Sequence, residues 1–394
     1  MPAQAASCTV LGKYNEDAVK QSGTELLKRL GGKATCAFAF VSQDYHEHLE
    51  DFSELIQLFG HVPEVFGCSG TGLVGTKVEW EGESGFSLLM LYLPDTQIKP
   101  FTFAQAQIEE SGGPAYWHME TGMEPGEVDA WMVLADPVSL SLESWLHDWN
   151  LAWPGIPCLG GLASSAKGAE GIFVFRNGQP VRGGGLAIAL SGGIAVRSVL
   201  SQGCRPIGEP FPITQTDRNI VLSLGSRPAF EALSAAISDL SEEEREHAKG
   251  NLFAGLATSE YIDEFKYGDF LIRNIMAADP QSGAVAISAL PRVGQTLQYQ
   301  LRDQKTALQD ARNLLQNEAA RTEKPFAALV FACNGRGSHL FGEPHQDAKA
   351  IAAAFGELPA AGFFCNGEIG PIGEKSYIHS YSLSVALLVD KKAK

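Results

Sequence analysis

The stretch CAFAFV, residues 36–41, begins a pattern that occurs three times in the chain. Such a short apolar run predicts a buried strand. The segment YHEHLEDFSELIQLFG follows and predicts a helix with one apolar face. PEVFG then leads into the glycine-rich loop GCSGTGLVG, residues 67–75, and the apolar run FSLLMLYL, residues 86–93, comes after it. The unit therefore consists of a strand, a helix, a strand, a loop and a closing strand.

The same order returns twice. AWMVLA, residues 130–135, and ALVFA, residues 328–332, predict the first strands of the second and third units. Their glycine-rich loops include CLGGLASS, residues 158–165, and FFCNGEIGPIG, residues 363–373. The glycine that follows the proline lies 31 residues after Cys36, 30 after Ala130 and 35 after Ala327. A fourth, weaker copy is predicted over residues 251–290.

Strand–helix–strand units favour parallel pairs joined by right-handed crossovers, and apolar strands of this kind suit sheets that are covered on both faces. We therefore predict an α/β fold of repeated units with mixed sheets. If the units are arranged symmetrically, their glycine-rich loops converge on one cleft. The predicted organisation is an N-terminal segment at 1–33 and two domains at 34–217 and 218–394, with the boundary near residues 216–219.

Composition excludes several classes of protein. The net charge of −16 argues against nucleic-acid binding, which needs a basic surface. No apolar run approaches the ~18 residues of a membrane span, and the N-terminus does not resemble a secretory signal, so we expect a cytoplasmic protein. The seven cysteines form no C-x-x-C motif, which favours buried thiols over disulfides.

Two Cys-Asn-Gly loops are the main candidates for a binding site. The residues predicted to contact a ligand are Cys333, Asn334 and Arg336 in the first loop and Cys365, Asn366 and Glu368 in the second. Backbone N–H groups and asparagine amides both donate and accept hydrogen bonds. An arginine would hold a carboxylate and a glutamate an ammonium group, which together suit a zwitterion such as an amino acid. An equal alternative is that Arg336 and Glu368 pair with each other or with neighbours and only rigidify the cleft.

Three further candidates lie elsewhere. Ser69 and Ser164 belong to the corresponding loops of the first two units, and Arg205 in QGCRPIG anchors a carboxylate either of the protein or of a ligand. A cysteine-dependent enzyme is another hypothesis. Cys333 or Cys365 would be its nucleophile, and a nearby base such as His339 would be required.

The chain resembles the FIST family, whose name refers to F-box and intracellular signal transduction. The resemblance rests on motifs in a fixed order: GCSGTGLVG, PCLGGLASS, GGGLAIALSGG and SQGCRPIGEPFPIT, then GDFLIRNIMAADP, PRVGQTLQYQLRD, FACNGRGSHLFGEPHQDAKAI and GFFCNGEIGPIG. It implies a sensory module that binds a small ligand, with amino acids a favoured suggestion, and that signals through a partner protein.

The resemblance also carries an alternative. Some stand-alone members are described as haem-containing nitric-oxide sensors that act on histidine kinases. A haem would need a histidine ligand, for which His339 and His345 are the first candidates.

Overall fold

The computed structural model describes residues 2–261, 264–265 and 268–392, which form two compact units. Unit 1 contains the described residues up to Leu200, Ala311–Ile378 and those from Ser382 onward. Unit 2 contains the described residues of Ser201–Asp310 together with His379–Tyr381. The sequence of unit 2 is therefore an insertion into that of unit 1. Across the described residues, every helix is too short or too polar to cross a membrane.

Unit 1 contains three repeats. The first comprises β1 (Gln4–Leu11), α1 (Glu16–Arg29), β2 (Cys36–Val41), α2 (Leu49–Gly60), β3 (Val65–Ser69), β4 (Gly72–Gly75), β5 (Val78–Glu81) and β6 (Gly85–Tyr92). The second comprises β7 (Thr96–Ala104), α3 (Gln105–Glu110), α4 (Pro114–Thr121), β8 (Ala130–Ala135), α5 (Leu142–Ala152), β9 (Cys158–Leu162), β10 (Val174–Arg176), β11 (Gln179–Pro180) and β12 (Gly184–Gly192).

The third repeat begins with β13 (Ile194–Gln202) and is then interrupted. Unit 2 supplies β14 (Cys204–Pro206), β15 (Phe211–Asp217), β16 (Ile220–Leu224), β17 (Arg227–Pro228), α6 (Ala229–Ser238), α7 (Glu242–Ala248), β18 (Leu252–Ala257), β19 (Phe270–Asp279), β20 (Ala284–Ile287) and β21 (Thr296–Arg302). The repeat resumes with α8 (Gln304–Ala319), β22 (Pro325–Cys333), α9 (Gly337–Phe341), α10 (Gln346–Phe355), β23 (Ala360–Cys365), β24 (Glu368–Ile372), β25 (Lys375–His379) and β26 (Ser382–Asp390).

The predicted α/β class and the three copies of the unit are confirmed. In each repeat the two strands around the helix are parallel, as in β2–β3, β8–β9 and β22–β23. The closing strand pairs antiparallel with the first, as in β2–β6, β8–β12 and β22–β26. An additional edge strand before each copy, namely β1, β7 or β13, joins the closing strand.

The hairpin of each repeat belongs to the sheet of another repeat. The three six-stranded sheets run β1-β6-β2-β3-β10-β11, β7-β12-β8-β9-β24-β25 and β13-β26-β22-β23-β4-β5. The first repeat thus contributes β4 and β5 to the third sheet, the second contributes β10 and β11 to the first, and the third contributes β24 and β25 to the second. Because this exchange is cyclic, each repeat needs the other two to complete its sheets.

Alternate residues of the central strands point to two different cores. Phe40, Leu134 and Phe331 lie in one inner cluster that all three sheets share. Their sequence neighbours point outward; Val41 packs in the cluster that includes α1 and α2, and Val133 packs in the cluster that includes α5. Burial on both faces explains why these strands are continuously apolar rather than alternating.

One glycine in each repeat fixes how closely the parallel strands approach. A Cβ atom at Gly67 would lie 2.0 Å from the carbonyl oxygen of Ala39. The corresponding distances are 1.8 Å at Gly160 and 1.9 Å at Gly362, each to a carbonyl oxygen of the neighbouring parallel strand. These are the glycines from which the spacing of the three copies was measured. Only glycine fits there, because the backbone oxygen cannot move away without breaking the sheet.

Unit 2 has a different architecture. Its strands are antiparallel, and β21, β15, β16, β20, β19 and β18 form a ring that closes through the β18–β21 pairing. Apolar residues of α6 pack against these strands. The predicted fourth copy over residues 251–290 is wrong. β18 pairs antiparallel with β19, and β19 pairs antiparallel with β20, whereas the repeated unit begins with a parallel pair. The prediction failed because similar apolar runs occur in buried strands of either kind.

Candidate functional site

The glycine-rich loops of the three repeats meet at one end of the shared core of unit 1. Thr71, Ser164 and Asn366 each lie four residues after the close-packed glycine of their repeat, so they occupy the same position in the three copies. We call these three residues and Asn334 the three-loop junction. The hypothesis that the loops converge is therefore supported by direct contacts between all three.

Hydrogen bonds connect the loops of different repeats. The Thr71 N–H donates to Ser164 Oγ at 2.9 Å, and the Ser164 hydroxyl donates to the Phe364 carbonyl. The Asn366 side chain donates to the Ala163 carbonyl at 3.1 Å. Backbone bonds add to these, since the Ser164 N–H donates to the Ser69 carbonyl at 3.1 Å. The junction is a framework in which every loop is held by another repeat.

The duplicated Cys-Asn-Gly sequence has a structural reason. Cys333 and Cys365 are paired residues at the ends of the neighbouring parallel strands β22 and β23. The Asn334 N–H donates to the Cys365 carbonyl at 2.9 Å, and the Asn334 side-chain amide donates to Asn366 Oδ1 at 2.8 Å. The Thr71 hydroxyl donates to Asn334 Oδ1 at 2.5 Å. The two loops therefore lie side by side, and both asparagine side chains remain exposed.

Arg336 lies beneath the exposed asparagines and is fully buried. Its Nε and Nη2 atoms each donate at 2.7 Å to the carboxylate of Asp347, which is also fully buried. The guanidinium carbon stands 5.3 Å from the centre of the Phe341 ring. Asp347, in the first turn of α10, is the partner that sequence reasoning missed. An acidic residue in a first helical turn is ordinary, so the sequence gives no signal for its role.

Glu368 is also fully buried, but its surroundings differ. One of its oxygens accepts hydrogen bonds from the Ser382 N–H at 3.2 Å and the Ser382 hydroxyl at 2.7 Å. Burial raises the pKa of Glu368 to about 8; the Ser382 bonds and the nearby Arg336 and Cys333 offset only part of this. A carboxyl with that pKa is mainly protonated at neutral pH.

A second buried carboxyl, Glu79 of β5, lies near the same arginine. Burial and, to a smaller extent, the charge of Asp347 raise the pKa of Glu79 to about 8, although the Ala348 N–H and Arg336 act to lower it. The Ala348 N–H donates to Glu79 Oε1 at 3.0 Å. The Arg336 guanidinium thus interacts electrostatically with the carboxyl groups of Asp347, Glu368 and Glu79. Its direct ion pair is with Asp347.

The two candidate haem ligands differ in their surroundings. His345 has a φ of 70°, and its Nδ1 accepts a hydrogen bond from the Glu79 N–H at 2.9 Å, so this nitrogen is already engaged. His339 is exposed on α9. Within the described ranges, no group of three or more His, Cys, Asp or Glu side chains is arranged to hold a metal ion.

The predicted nucleophiles are buried. Cys365 is completely inaccessible, and burial raises its pKa well above the usual value of a thiol. Cys333 is 8% exposed. Reactive cysteines need a lowered pKa and access to their substrate, which Cys365 lacks.

The remaining predicted residues fall into two groups. Ser69 and Ser164 are fully buried in the loops of unit 1; Ser69 Oγ accepts from the Phe173 N–H at 3.1 Å. Arg205 lies in unit 2, where its guanidinium binds the carboxylates of Glu244 and Asp303. It therefore anchors carboxylates of the protein, which was one of its two predicted roles.

Two family models match consecutive parts of the sequence. The FIST N domain model matches residues 35–227, and the FIST C domain model matches residues 229–371. The chain belongs to the FIST family. FIST domains are associated with signal transduction and the sensing of small ligands, and are sensory rather than catalytic. The third sheet of unit 1 combines both matches, because β4 and β5 lie in the part matched by the FIST N model and β22 and β23 in the part matched by the FIST C model.

Curated relatives extend over most of this FIST protein. An uncharacterized protein of Mycobacterium bovis is 36% identical over 376 residues, which is 95% of each chain. An uncharacterized protein of Mycobacterium tuberculosis is 31% identical over 363 residues, covering 91% of this chain and 92% of the relative. An F-box/LRR-repeat protein of Arabidopsis thaliana is 34% identical over 115 residues, or 25% of this chain and 22% of that protein.

A solved structure with similarity along the whole chain is that of a cyanuric acid hydrolase from A. caulinodans. It covers 99% of this chain and 100% of its own, with 10% identity and a TM-score of 0.35. A TM-score of this size carries no argument about the fold or the chemistry of the FIST protein.

Proposed function

We propose that this FIST protein is a cytoplasmic sensor in which a small polar ligand binds at the three-loop junction and a partner protein receives the signal. Family membership supports the sensory role. The junction supports the location, because it joins the loops of all three repeats at a single point. A ligand there would contact every repeat, so that binding would change the stability of the whole of unit 1.

The observation that carries the proposed site is the pair of exposed amides. Asn334 and Asn366 are exposed although each is held by the framework, Asn334 through Thr71 and Asn366 through the Ala163 carbonyl. Side chains fixed in this way lose little further freedom when a ligand binds, which favours recognition. Cys333, Cys365, Ser69 and Ser164 are buried in the loops that surround these amides and would support the site from within.

An amino acid is one proposed ligand, and the structure defines what its binding would require. Arg336 and Glu368 are both fully buried beneath the loops. A zwitterion that paired with them would have to open the segment at residues 334–337 and compete with Asp347. A ligand that leaves this segment closed would contact the asparagines but not Arg336 or Glu368. Those two residues would then influence its binding only indirectly.

Calorimetric titration of the full chain with an amino-acid panel tests the proposal. Native mass spectrometry of the purified protein, without added ligand, should identify any compound that copurifies. We expect binding to weaken at least tenfold in Asn334→Ala and Asn366→Ala. The exposed Asn317 of α8 supplies the control, because Asn317→Ala should leave affinity unchanged. Equal affinity in all four proteins would place the ligand elsewhere.

The partner is proposed to be a histidine kinase or another signalling protein. Ligand-dependent capture of a purified kinase by the wild-type chain, lost in Asn366→Ala, is the expected result. The absorption spectrum of the same preparation tests the haem alternative, since haem bound through His339 or His345 gives an intense band in the Soret region.

A further inference from the structure

We infer that the chemical group recognised at the three-loop junction is uncharged and presents one hydrogen-bond donor beside one acceptor, as a carboxamide or a urea does. This inference rests on the proposed function, because it specifies the ligand class of the same site. It depends on which hydrogen-bonding positions the framework uses and which it leaves open.

Each exposed asparagine side chain uses half of its hydrogen-bonding positions within the framework. A carboxamide offers two N–H donors and two acceptor positions on its oxygen. Asn334 uses one acceptor position for the Thr71 hydroxyl and one donor for Asn366. Asn366 uses one acceptor position for Asn334 and one donor for the Ala163 carbonyl. Among the described residues, one donor and one acceptor position therefore remain on each side chain.

The framework fixes the orientation of both amides, so the open donor and acceptor positions of Asn334 and Asn366 cannot exchange places. The Ala163 carbonyl only accepts, so it defines which atom of Asn366 is the nitrogen, and the Asn366 oxygen in turn defines which atom of Asn334 is the nitrogen. Neither amide can rotate to present two donors without losing a bond to the framework. A carboxylate, which only accepts, would leave an open acceptor position unmatched, and an ammonium group, which only donates, would leave an open donor unmatched.

The charged groups below the junction do not change this preference. Arg336 is neutralised by the bidentate contact with Asp347, and both are fully buried. Glu368 is fully buried as well, and its raised pKa of about 8 keeps it mainly uncharged at neutral pH. The exposed charges of Glu81, at the end of β5, and of Lys167 are outside the four residues of the three-loop junction. The junction therefore offers neutral partners to a ligand.

Three small probes with the same number of carbon atoms test the inference on the full chain: propionamide, propionate and propylammonium. Side-chain amide NMR signals of Asn334 and Asn366, assigned by comparison with the two alanine variants, report binding at the junction. We expect propionamide to shift both signals with a Kd on the order of millimolar, as suits about five heavy atoms. Propionate and propylammonium should bind at least tenfold more weakly.

Asn366→Asp is the matched variant. It preserves shape but replaces the amide nitrogen, so propionamide affinity should fall at least tenfold, while Asn317→Asp should leave it unchanged. If Asn366→Asp does not fold, Asn334→Asp tests the same point. Stronger binding of propionate or propylammonium than of propionamide at these signals would overturn the inference and leave the site intact. No response at these signals to any of the probes or to the amino-acid panel would overturn the proposed site itself.

Discussion

The two Cys-Asn-Gly loops share three residues and differ in the fourth. Each fourth residue is a buried ionisable side chain, and the structure accommodates the two in different ways. Arg336 keeps its charge in the interior because Asp347 neutralises it through two hydrogen bonds. Glu368 accepts hydrogen bonds from Ser382, and burial raises its pKa to about 8, so that it remains mainly protonated. The shared asparagines are exposed, whereas the differing residues are buried. The asparagines are therefore accessible to a ligand, as the proposed site requires, whereas Arg336 and Glu368 are not.

At one pair of neighbouring residues, the two strands that carry the loops contain a glycine and a valine. Substitutions at this pair should give the largest difference in stability. Gly362 of β23 is paired with Val330 of β22. Gly362→Ala would place a Cβ atom 1.9 Å from the Val330 carbonyl oxygen, so we expect unfolding or a loss above about 5 kcal/mol. Val330→Ala removes only packing and should cost about 1–3 kcal/mol. Urea denaturation measures both.

A matched glycine controls for that substitution. A Cβ atom at Gly112 meets no atom within 4 Å, and its φ is not positive, so Gly112→Ala should change stability by less than about 1 kcal/mol. A folded, equally stable Gly362→Ala protein would show that the parallel strands can separate without cost.

Removing the counter-charge of the first loop should give the next largest effect. Asp347→Ala leaves the Arg336 guanidinium buried without its ion-pair partner, and we expect a loss of about 3–5 kcal/mol in the free energy of unfolding. The double variant Arg336→Met with Asp347→Ala should be less destabilised than the single one, because no charge is then stranded. A double variant that loses the sum of both single effects would contradict this account.

In the second loop, the contribution of Glu368 to stability should depend on pH. Glu368 has a pKa of about 8 in the folded protein, above the value of an unfolded glutamate. The folded state therefore binds the proton of Glu368 more tightly than the unfolded state. The contribution of this group to stability is fully present below about pH 4.5 and is lost as pH rises to about 8. The slope should be at most about 1.4 kcal/mol per pH unit for this group.

Glu368→Gln keeps the shape but cannot ionise, so its melting temperature should depend less on pH between 5 and 8 than that of the wild type. Glu79 contributes a similar slope and remains in this variant, so only part of the dependence should disappear. Identical pH profiles for Glu368→Gln and wild type would show that the pKa of Glu368 is not raised into this range.

The exposed asparagines should affect stability least. Asn334→Ala removes the bonds to Thr71 and Asn366, and exposed neutral bonds contribute only about 0.5–1.5 kcal/mol each. Thermal denaturation of both single variants and the double variant gives their coupling, which should be below about 1 kcal/mol. A loss above about 3 kcal/mol would mean that these residues are structural rather than available for binding.

The sequence by itself determined the repeated unit, since apolar strands, an amphipathic helix and a close-packed glycine return at nearly equal spacing. It also placed Asn334 and Asn366 in the loops of that unit. These features depend on local pattern and on contacts within one repeat. The FIST motifs were visible for the same reason, as they are continuous stretches of sequence.

Only the tertiary structure decided how the repeats are joined. The exchange of hairpins depends on pairing between residues as distant as Leu73 and Phe363, and each hairpin alone is equally compatible with its own sheet. The interruption of the third repeat by unit 2 was equally hidden, because an insertion leaves the flanking strands unchanged. The Arg336–Asp347 pair and the raised pKa of Glu368 follow from burial, which depends on the packing of the whole of unit 1 and cannot be inferred from the four letters of either loop.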